Sequence, residues 1–178
     1  EAFFARLGQR LIHILTTRTP GGILYAVDMR LRPSGKSGPL VTSLAALRDY
    51  QRSHAWTWEH QALVRARPVA GSQVLARDFA KVREEILCLP REPAKLKAEV
   101  REMREKMAAA QPPHDAGQTD VKHDPGGIVD IEFMVQYWVL RWAHEHPGLT
   151  RHTENIQILE ALKAEGLLEP ERARLLTE

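Results

Sequence analysis

One carboxylate and three cationic side chains crowd the stretch Leu24–Gly38, LYAVDMRLRPSGKSG. From Tyr25 onward, apolar and polar residues alternate strictly as far as Arg32, which predicts a β-strand. Strand side chains share a face at every second residue, so Asp28, Arg30 and Arg32 would emerge together, about 6–7 Å apart. An acid between two permanent cations suits either a surface salt bridge or the handling of a metal ion and phosphate.

The loop after this strand favours the phosphate interpretation. Pro33–Gly38, PSGKSG, combines two glycines, a lysine and two hydroxyl groups. Gly35 permits close approach of the backbone to phosphate oxygens, and Lys36 adds positive charge. The local pattern alone leaves both possibilities open: a surface ion pair, or an edge that handles metal and phosphate.

A second candidate group lies at the start of a later helix. Gly126 and Gly127 could present backbone N–H groups to an anion, with Lys122 nearby; the alternative is a plain helix start. Asp130 and Glu132 have the D-x-E order of a metal pair on a strand, but on a helix they diverge by about 200°. A role at the first helical turn, as dipole complement, capping group or salt-bridge partner, is therefore favoured.

Several other chemistries lack the residues that they need. The histidines form no ligand set, so zinc is not expected. The G-x-S-x-G, Walker and G-x-G-x-x-G motifs do not occur, which removes support for hydrolase, P-loop and Rossmann classes. Three rings crowd Trp56–His60, but aromatic side chains on a helix are most typical of a core.

Helices must position most of these candidates. Apolar spacing predicts helices over 2–17, 44 to about 67, 73 to about 89 and 93 to about 107, then one after Gly127, one capped by Thr153 and one from Pro170. Short strands are expected at 25–32, 40–42 and 120–122, and a mobile loop at 111–119. The sequence therefore predicts a mainly α protein with a small β part.

Composition limits the class of protein. The 178 residues carry a formal net charge of +2, which is too small to indicate nucleic-acid binding. No apolar run approaches the ~18 residues of a membrane span, so no membrane partner is expected.

The single cysteine, Cys88, cannot form an internal disulfide, so we expect a reducing, cytoplasmic location. We also expect this thiol to be buried as a small hydrophobe. Because the chain begins inside an amphipathic pattern without a methionine, we also expect a piece of a longer protein.

Several long segments of the sequence, called words below, resemble the glutamine synthetase adenylyltransferase family. They are LYAVDMRLRPSGKSGPLVTS, AWTWEHQALVRARPV, LPRE with EVREMREKM, and DVKHDPGGIVDIEF with QYWVLRWAHEHPGLTRHTENIQILEAL. The similarity spans essentially the whole chain. The family has two related halves, one attaching AMP to glutamine synthetase and one removing it by phosphorolysis. RLRPSG and TWEHQALVRAR resemble the C-terminal, adenylylating half, since the removing half tends to carry RLRPFG.

The resemblance implies a fold related to the polymerase-beta nucleotidyltransferases, followed by a helical bundle. Residues 1–67 would be the C-terminal portion of the nucleotidyltransferase domain, and residues 68–178 a bundle truncated at its end. In such enzymes an aspartate pair follows a Gly-Ser turn, and a third carboxylate lies on a later strand. Asp28 matches the third carboxylate. The pair should lie upstream of Glu1, because Gly71-Ser72 is followed by Gln73 rather than an acid.

The implied reaction transfers AMP from ATP to a tyrosine hydroxyl of glutamine synthetase and releases pyrophosphate. Asp28 would bind one of two Mg²⁺ ions near that hydroxyl, while cations oppose the charge of the triphosphate. The nucleotide contacts would be Arg30, Arg32, Gly35, Lys36, Lys122, Gly126 and Gly127. With one of three metal-binding carboxylates, this piece alone is expected to be inactive.

Two alternatives to the adenylylating half stay open. The chain could be a docking or regulatory module that recognises glutamine synthetase, or a PII-type signal protein, through its helical bundle. It could also belong to the adenylyl-removing half.

Overall fold

A computed structural model describes residues 2–23, 25–111 and 119–177. These residues form eight α-helices and a two-stranded sheet, so the predicted mainly α fold with a small β part is confirmed. The polymerase-beta-like architecture stays a prediction.

The predicted loop at 111–119 falls mostly on residues outside the described ones. The chain divides into two compact units, Glu1–Ala55 and Trp56–Glu178, and the predicted domain boundary after residue 67 stays a prediction.

The unit Glu1–Ala55 consists of two helices and a short hairpin. Its elements are α1 (Ala2–Thr16), β1 (Arg18–Thr19), β2 (Gly22–Ile23), a 3-10 turn (Gly35–Ser37) and α2 (Leu44–Ser53). The two strands pair antiparallel, with Arg18 opposite Ile23 and Thr19 opposite Gly22. The hairpin lies directly after α1, ahead of the segment in which the sequence predicts a strand.

The predicted strand from Tyr25 to Arg32 is wrong. Residues 25–29 belong to no sheet in the described part of the chain, and a turn begins at Arg30. The backbone N–H of Arg30 donates to Oδ1 of Asp28 at 2.9 Å, a local turn that draws the chain out of an extended conformation. A strand without a neighbour is poorly stabilised, so the local hydrogen bond prevails over the alternating pattern.

The long helix predicted over 44 to about 67 is two helices. α2 ends at Ser53, and α3 begins at Thr57. The backbone N–H of Trp56 donates to the carboxylate of Glu59 at 2.9 Å, which gives the second helix a capped start of its own. Apolar spacing continues through the break, so periodicity alone does not reveal it.

Three smaller predictions concern the segment 40–42 and the starts of two helices. The predicted strand 40–42 is wrong, since those residues form bends. The predicted helix start at residue 44 is confirmed, and Ser43 caps it, because its hydroxyl accepts from the N–H of Ala46 at 3.1 Å. The helix predicted to be capped by Thr153 has Glu154 at that position instead.

The unit Trp56–Glu178 is a helical bundle arranged around one central helix. Its helices are α3 (Thr57–Arg65), α4 (Gln73–Leu87), α5 (Pro93–Ala109), α6 (Ile128–Trp142), α7 (Asn155–Ala164) and α8 (Pro170–Thr177), with a 3-10 turn at Pro147–Arg151. α6 contacts α3, α5 and α7, and its Val135, Val139 and Leu140 are fully buried. The buried hydrophobic cluster draws all its described members from this unit.

Cys88 follows α4 and packs against this core as the predicted hydrophobe, but it is partly rather than fully buried. Burial, followed by the charge of Glu84, raises the pKa of the Cys88 thiol. Among the described residues, no helix is both long enough and apolar enough to cross a bilayer.

Candidate functional site

Asp28 and Arg30 form a close ion pair in the turn that replaces the predicted strand. Nε and Nη2 of Arg30 lie 2.9 and 2.6 Å from Oδ2 of Asp28, and Nε lies 3.1 Å from Oδ1. The side chains are 51% exposed for Asp28 and 74% exposed for Arg30. The hydrogen bond to Asp28, and then its charge, raise the pKa of Arg30. The structure thus brings together two of the predicted site residues, as an exposed ion pair.

The following loop is a tight turn. Nη1 of Arg32 donates to the carbonyl of Met29 at 3.0 Å, and the N–H of Gly35 donates to the carbonyl of Arg32 at 2.8 Å. A Cβ on Gly38 would lie 1.9 Å from the carbonyl oxygen of Pro33, so only glycine fits this backbone approach. Lys36 lies in the 3-10 turn, but its side chain is outside the described part of the structure.

The second candidate group begins with a turn rather than the predicted strand 120–122. The carboxylate of Asp120 accepts from the backbone N–H groups of Lys122 at 2.8 Å and His123 at 3.1 Å, and it lies 2.7 Å from Nδ1 of His123. These bonds, that of the His123 side chain foremost, lower the pKa of Asp120 to about 2. The aspartate satisfies amides that a strand would have offered to a neighbour, which is why the strand prediction is wrong.

The amides of Gly126 and Gly127 are used within the chain. The N–H of Gly126 donates to Oδ2 of Asp130 at 2.6 Å, and that of Gly127 to the carbonyl of Asp124 at 2.9 Å. A Cβ on Gly127 would lie 2.6 Å from the carbonyl oxygen of Val121. The two glycines thus build the start of α6. Their contact with a nucleotide, and that of Lys122, stay predictions.

Asp130 lies in the first turn of α6, as the helical spacing favours, whereas Glu132 lies beyond that turn and is a salt-bridge partner only. Asp130 also accepts from Nε of Arg104 at 2.5 Å, and Glu132 pairs with Arg65. Burial works to raise the pKa of Asp130, but the Gly126 amide and Arg104 together lower it. The two carboxylates therefore bind different partners and do not form a metal pair.

The described residues do not by themselves fit a Mg²⁺ ion. Among them, no group of three or more histidine, cysteine, aspartate or glutamate side chains could hold a metal. Asp28 brings a single carboxylate, and both of its oxygens contact the guanidinium of Arg30. Divalent-metal phosphoryl chemistry uses several carboxylates around its ions, so this set is incomplete.

Arg83, a buried arginine in α4 that is 7% exposed, is not among the residues predicted from the sequence. Its guanidinium donates to four backbone carbonyls, including that of Leu63 at 2.9 Å and that of His152 at 3.2 Å; the others belong to Val64 and Thr150. Burial lowers the pKa of Arg83. The available signal was position, since Arg83 stands at helical spacing among the apolar residues of α4 and hence on its buried face.

Arg91 is a second arginine that the sequence analysis did not single out. It donates to the carbonyls of Ile86, Leu87 and Leu89 at 2.9–3.0 Å, near the C-terminal end of α4. A longer bond of 3.4 Å reaches the carbonyl of Leu140 in α6. Burial lowers the pKa of Arg91 to about 10. Both arginines satisfy carbonyls at helix ends, which is a structural role.

Two family models match adjacent parts of the chain. Residues 1–82 match Glutamate-ammonia ligase adenylyltransferase, and residues 94–178 match GlnD PII-uridylyltransferase. Residues 83–93, from the second half of α4 to the start of α5, lie between the two matches.

Two curated relatives match almost the whole chain. The bifunctional glutamine synthetase adenylyltransferase/adenylyl-removing enzyme of Thioalkalivibrio sulfidiphilus (strain HL-EbGR7) is 57% identical over 176 residues, which is 99% of this chain. The enzyme of the same name from Hahella chejuensis (strain KCTC 2396) is 56% identical over 178 residues, which is 97% of this chain. In both comparisons the chain spans 18% of the relative's length. Identity of this degree along the whole chain places it in the family that its sequence words resemble: the chain belongs to the glutamine synthetase adenylyltransferases.

Proposed function

We propose that this chain is part of an enzyme that transfers AMP from ATP to a tyrosine of glutamine synthetase. The observation that carries the proposal is identity of 56–57% with two enzymes whose names include this activity. The words RLRPSG and TWEHQALVRAR support the adenylylating half of such an enzyme. The chain spans 18% of the relatives' length. In our proposal the activity therefore requires a longer protein, and the 178 residues alone are inactive.

The charge of residues 1–55 supports a role in handling a nucleotide. This part of the sequence has eight arginine and lysine residues against three aspartate and glutamate residues. A triphosphate is a polyanion that such a surface attracts. Arg30 and Arg32 both follow Asp28, at the start of the turn and just after it, and Lys36 lies in the next turn. In our proposal these cations bind the phosphates, and Gly35 permits their close approach.

Asp28 is the carboxylate that we assign to the reaction centre. Its side chain is half exposed, so a substrate can reach it once Arg30 turns to the phosphates. Asp28 alone is not a Mg²⁺ site, because the described residues bring too few carboxylates together. Lys122, Gly126 and Gly127 are further proposed nucleotide contacts; the two glycines would first have to exchange the partners of their amides.

The test is AMP transfer to glutamine synthetase by the full-length protein, followed with ATP labelled at the α-phosphate. We expect Asp28→Asn to lower the rate by about a hundredfold or more, since removal of one group that acts on transition-state charge has effects of this size. Asp49→Asn is the matched control, because Asp49 is an exposed carboxylate of the same unit. Wild-type labelling by the Asp28→Asn variant would refute the assignment.

The adenylyl-removing half is the second candidate, because the names of both relatives include that activity. It predicts phosphate-dependent release of AMP from modified glutamine synthetase, which the same Asp28→Asn variant would lose. Release without any transfer activity would move the assignment to this half.

A docking role for the bundle is the third candidate. It is favoured by the match of residues 94–178 to a PII-uridylyltransferase model. Tight binding of glutamine synthetase or a PII-type signal protein to the 178-residue chain, in the absence of ATP and divalent metal, would support it. Binding that requires ATP would count against it.

A further inference from the structure

The helix α1 carries an apolar stripe that the described chain leaves open. Five large side chains share this stripe and are 43–71% exposed: Phe3, Phe4, Leu7, Leu11 and Ile14. Their spacing places them within about one third of the helix circumference. None of the described residues of α1 is buried. A contiguous apolar surface of this kind marks an interaction site more often than a face in contact with water.

One edge of α1 is already fixed within its own unit. A Cβ on Gly8 would lie 3.2 Å from the side chain of Val41 and 3.3 Å from that of Leu40, so this edge is closely packed. The backbone N–H of Tyr25 donates to the carbonyl of Leu15 at 3.1 Å, which ties the end of α1 to the segment after the hairpin. The helix is therefore held in a defined orientation, and its open stripe is a surface of a folded unit.

Positive charge borders the stripe. Arg6, Arg10 and His13 lie on the polar side of α1, and Ala2–Thr16 contains no aspartate or glutamate. A second copy of the same helix would bring the same cations and be repelled. A partner with carboxylates beside its apolar residues would instead pair with Arg6 and Arg10.

The occupant of the stripe that we propose belongs to the same polypeptide. The chain spans 18% of the length of its relatives, so most of a protein of that kind lies outside these 178 residues. We propose that α1 docks, through the open stripe, onto an apolar segment flanked by aspartate or glutamate in that remaining part of the same polypeptide. The contact is a helix in an apolar groove, with the border charges fixing its orientation. This inference does not depend on which reaction the enzyme catalyses.

Photo-crosslinking in the full-length protein tests the proposal. Leu11 is replaced by benzoylphenylalanine, and the matched control carries the same group at Gln9, which is exposed on the polar side of α1. We expect position 11 to crosslink to a peptide outside the 178 residues that contains acidic residues, and position 9 to give at most a tenth of that yield. A mixture of unlabelled and ¹⁵N-labelled protein should give crosslinks within one isotope only.

Any other result overturns the proposal. Crosslinks between the two isotopes would identify a second copy as the occupant. Crosslinks to peptides without acidic residues, to peptides within the 178 residues, or from neither position would also contradict it. As an independent check, Arg10→Glu should lower the yield from position 11 about tenfold, whereas Arg10→Lys should leave it unchanged. Equal crosslink yields from these two variants would show that positive charge at position 10 does not contribute to docking.

Discussion

Arg83 places one guanidinium against carbonyls from two separate parts of the bundle, the C-terminal end of α3 and the turn after α6. Burying a charge is costly unless each of its donors finds an acceptor, and here the backbone supplies the acceptors. Most of these carbonyls lie at helix ends, where intrahelical donors run out, although that of Leu63 also accepts from the N–H of Ala66 at 3.2 Å. The arginine and the backbone thus depend on each other, which makes this residue a sensitive point for stability.

We expect Arg83→Met to lower the free energy of unfolding by about 3 kcal/mol or more, because several buried carbonyls lose their donor. Urea denaturation of the 178-residue chain measures the change. Arg101→Met is the control, since the Arg101 side chain is 79% exposed, and a change within about 0.5 kcal/mol is expected there. Similar effects of the two substitutions would show that the buried guanidinium has no special role.

Asp120 gives a prediction about pH. Its pKa of about 2 in the folded chain lies below the ordinary value of 3.8. Its hydrogen bonds therefore stabilise the fold fully above pH 3.8, and this stabilisation is lost as pH falls towards 2. An NMR titration of the Asp120 carboxyl carbon should have its midpoint near 2. Asp120→Asn should lose this part of the acid sensitivity in thermal unfolding between these pH values. A midpoint at the ordinary value would show that the turn at 120–123 does not hold the carboxylate.

At the scale of elements, the spacing of apolar residues predicts those helices that pack one continuous apolar face. The spacing of apolar residues predicts α1, α4, α5 and α6 nearly as they are, because each has one continuous face of that period. It fails where a single polar side chain redirects the backbone. Asp28 and Asp120 each accept backbone N–H groups within three residues and convert a predicted strand into a turn. Such local competition leaves almost no trace in a hydrophobic pattern.

The helix start at Gly127 provides an element-level prediction. A methyl group there meets three backbone carbonyls within 3.0 Å, those of Val121, Lys122 and Asp124, and none can move as a flexible side chain would. Gly127→Ala should therefore cost about 1–3 kcal/mol in urea denaturation. Gly148→Ala is the control, since the nearest atom to an added Cβ there is a Glu165 oxygen at 4.0 Å. A neutral Gly127→Ala variant would contradict the close approach seen here.

At the scale of the whole molecule, the two units differ in how much they bury. The hydrophobic cluster runs from Leu63 to Leu176 and lies in the unit Trp56–Glu178. In the described part of the unit Glu1–Ala55 the one buried residue is a polar one, Gln51. Since apolar burial is the main favourable term in folding, stability is concentrated in the second unit.

We therefore expect residues 56–178, expressed alone, to melt within about 4 °C of the complete 178-residue chain, a shift of less than about 1 kcal/mol. Circular dichroism at 222 nm follows the transition. Residues 1–55 alone should show no cooperative transition, which provides the comparison. A drop of more than about 8 °C for residues 56–178 would mean that the first unit contributes substantially to stability.

The site was predictable only in part. The types and order of Asp28, Arg30 and Arg32 marked the stretch from sequence alone, and the family words indicated the chemistry that we propose for it. The bidentate contact between Asp28 and Arg30 came from a turn that the alternation hides. Gly126 and Gly127 form the start of a helix, and the Gly126 amide is bound there by Asp130. The sequence did favour a helical position for Asp130. Arg83 and Arg91 escaped notice because their partners are backbone carbonyls, which have no residue type to recognise.

The chain's one thiol has a practical consequence. Cys88 packs against the core, and burial raises the pKa of its thiol, so little thiolate is available to react near neutral pH. A cysteine introduced at an open position would therefore take up a maleimide fluorophore far faster than the native one. Distances can therefore be measured by energy transfer from introduced cysteines while Cys88 stays in place. The unmodified chain, labelled in the same way, gives the background signal, and no gap is created where Cys88 packs.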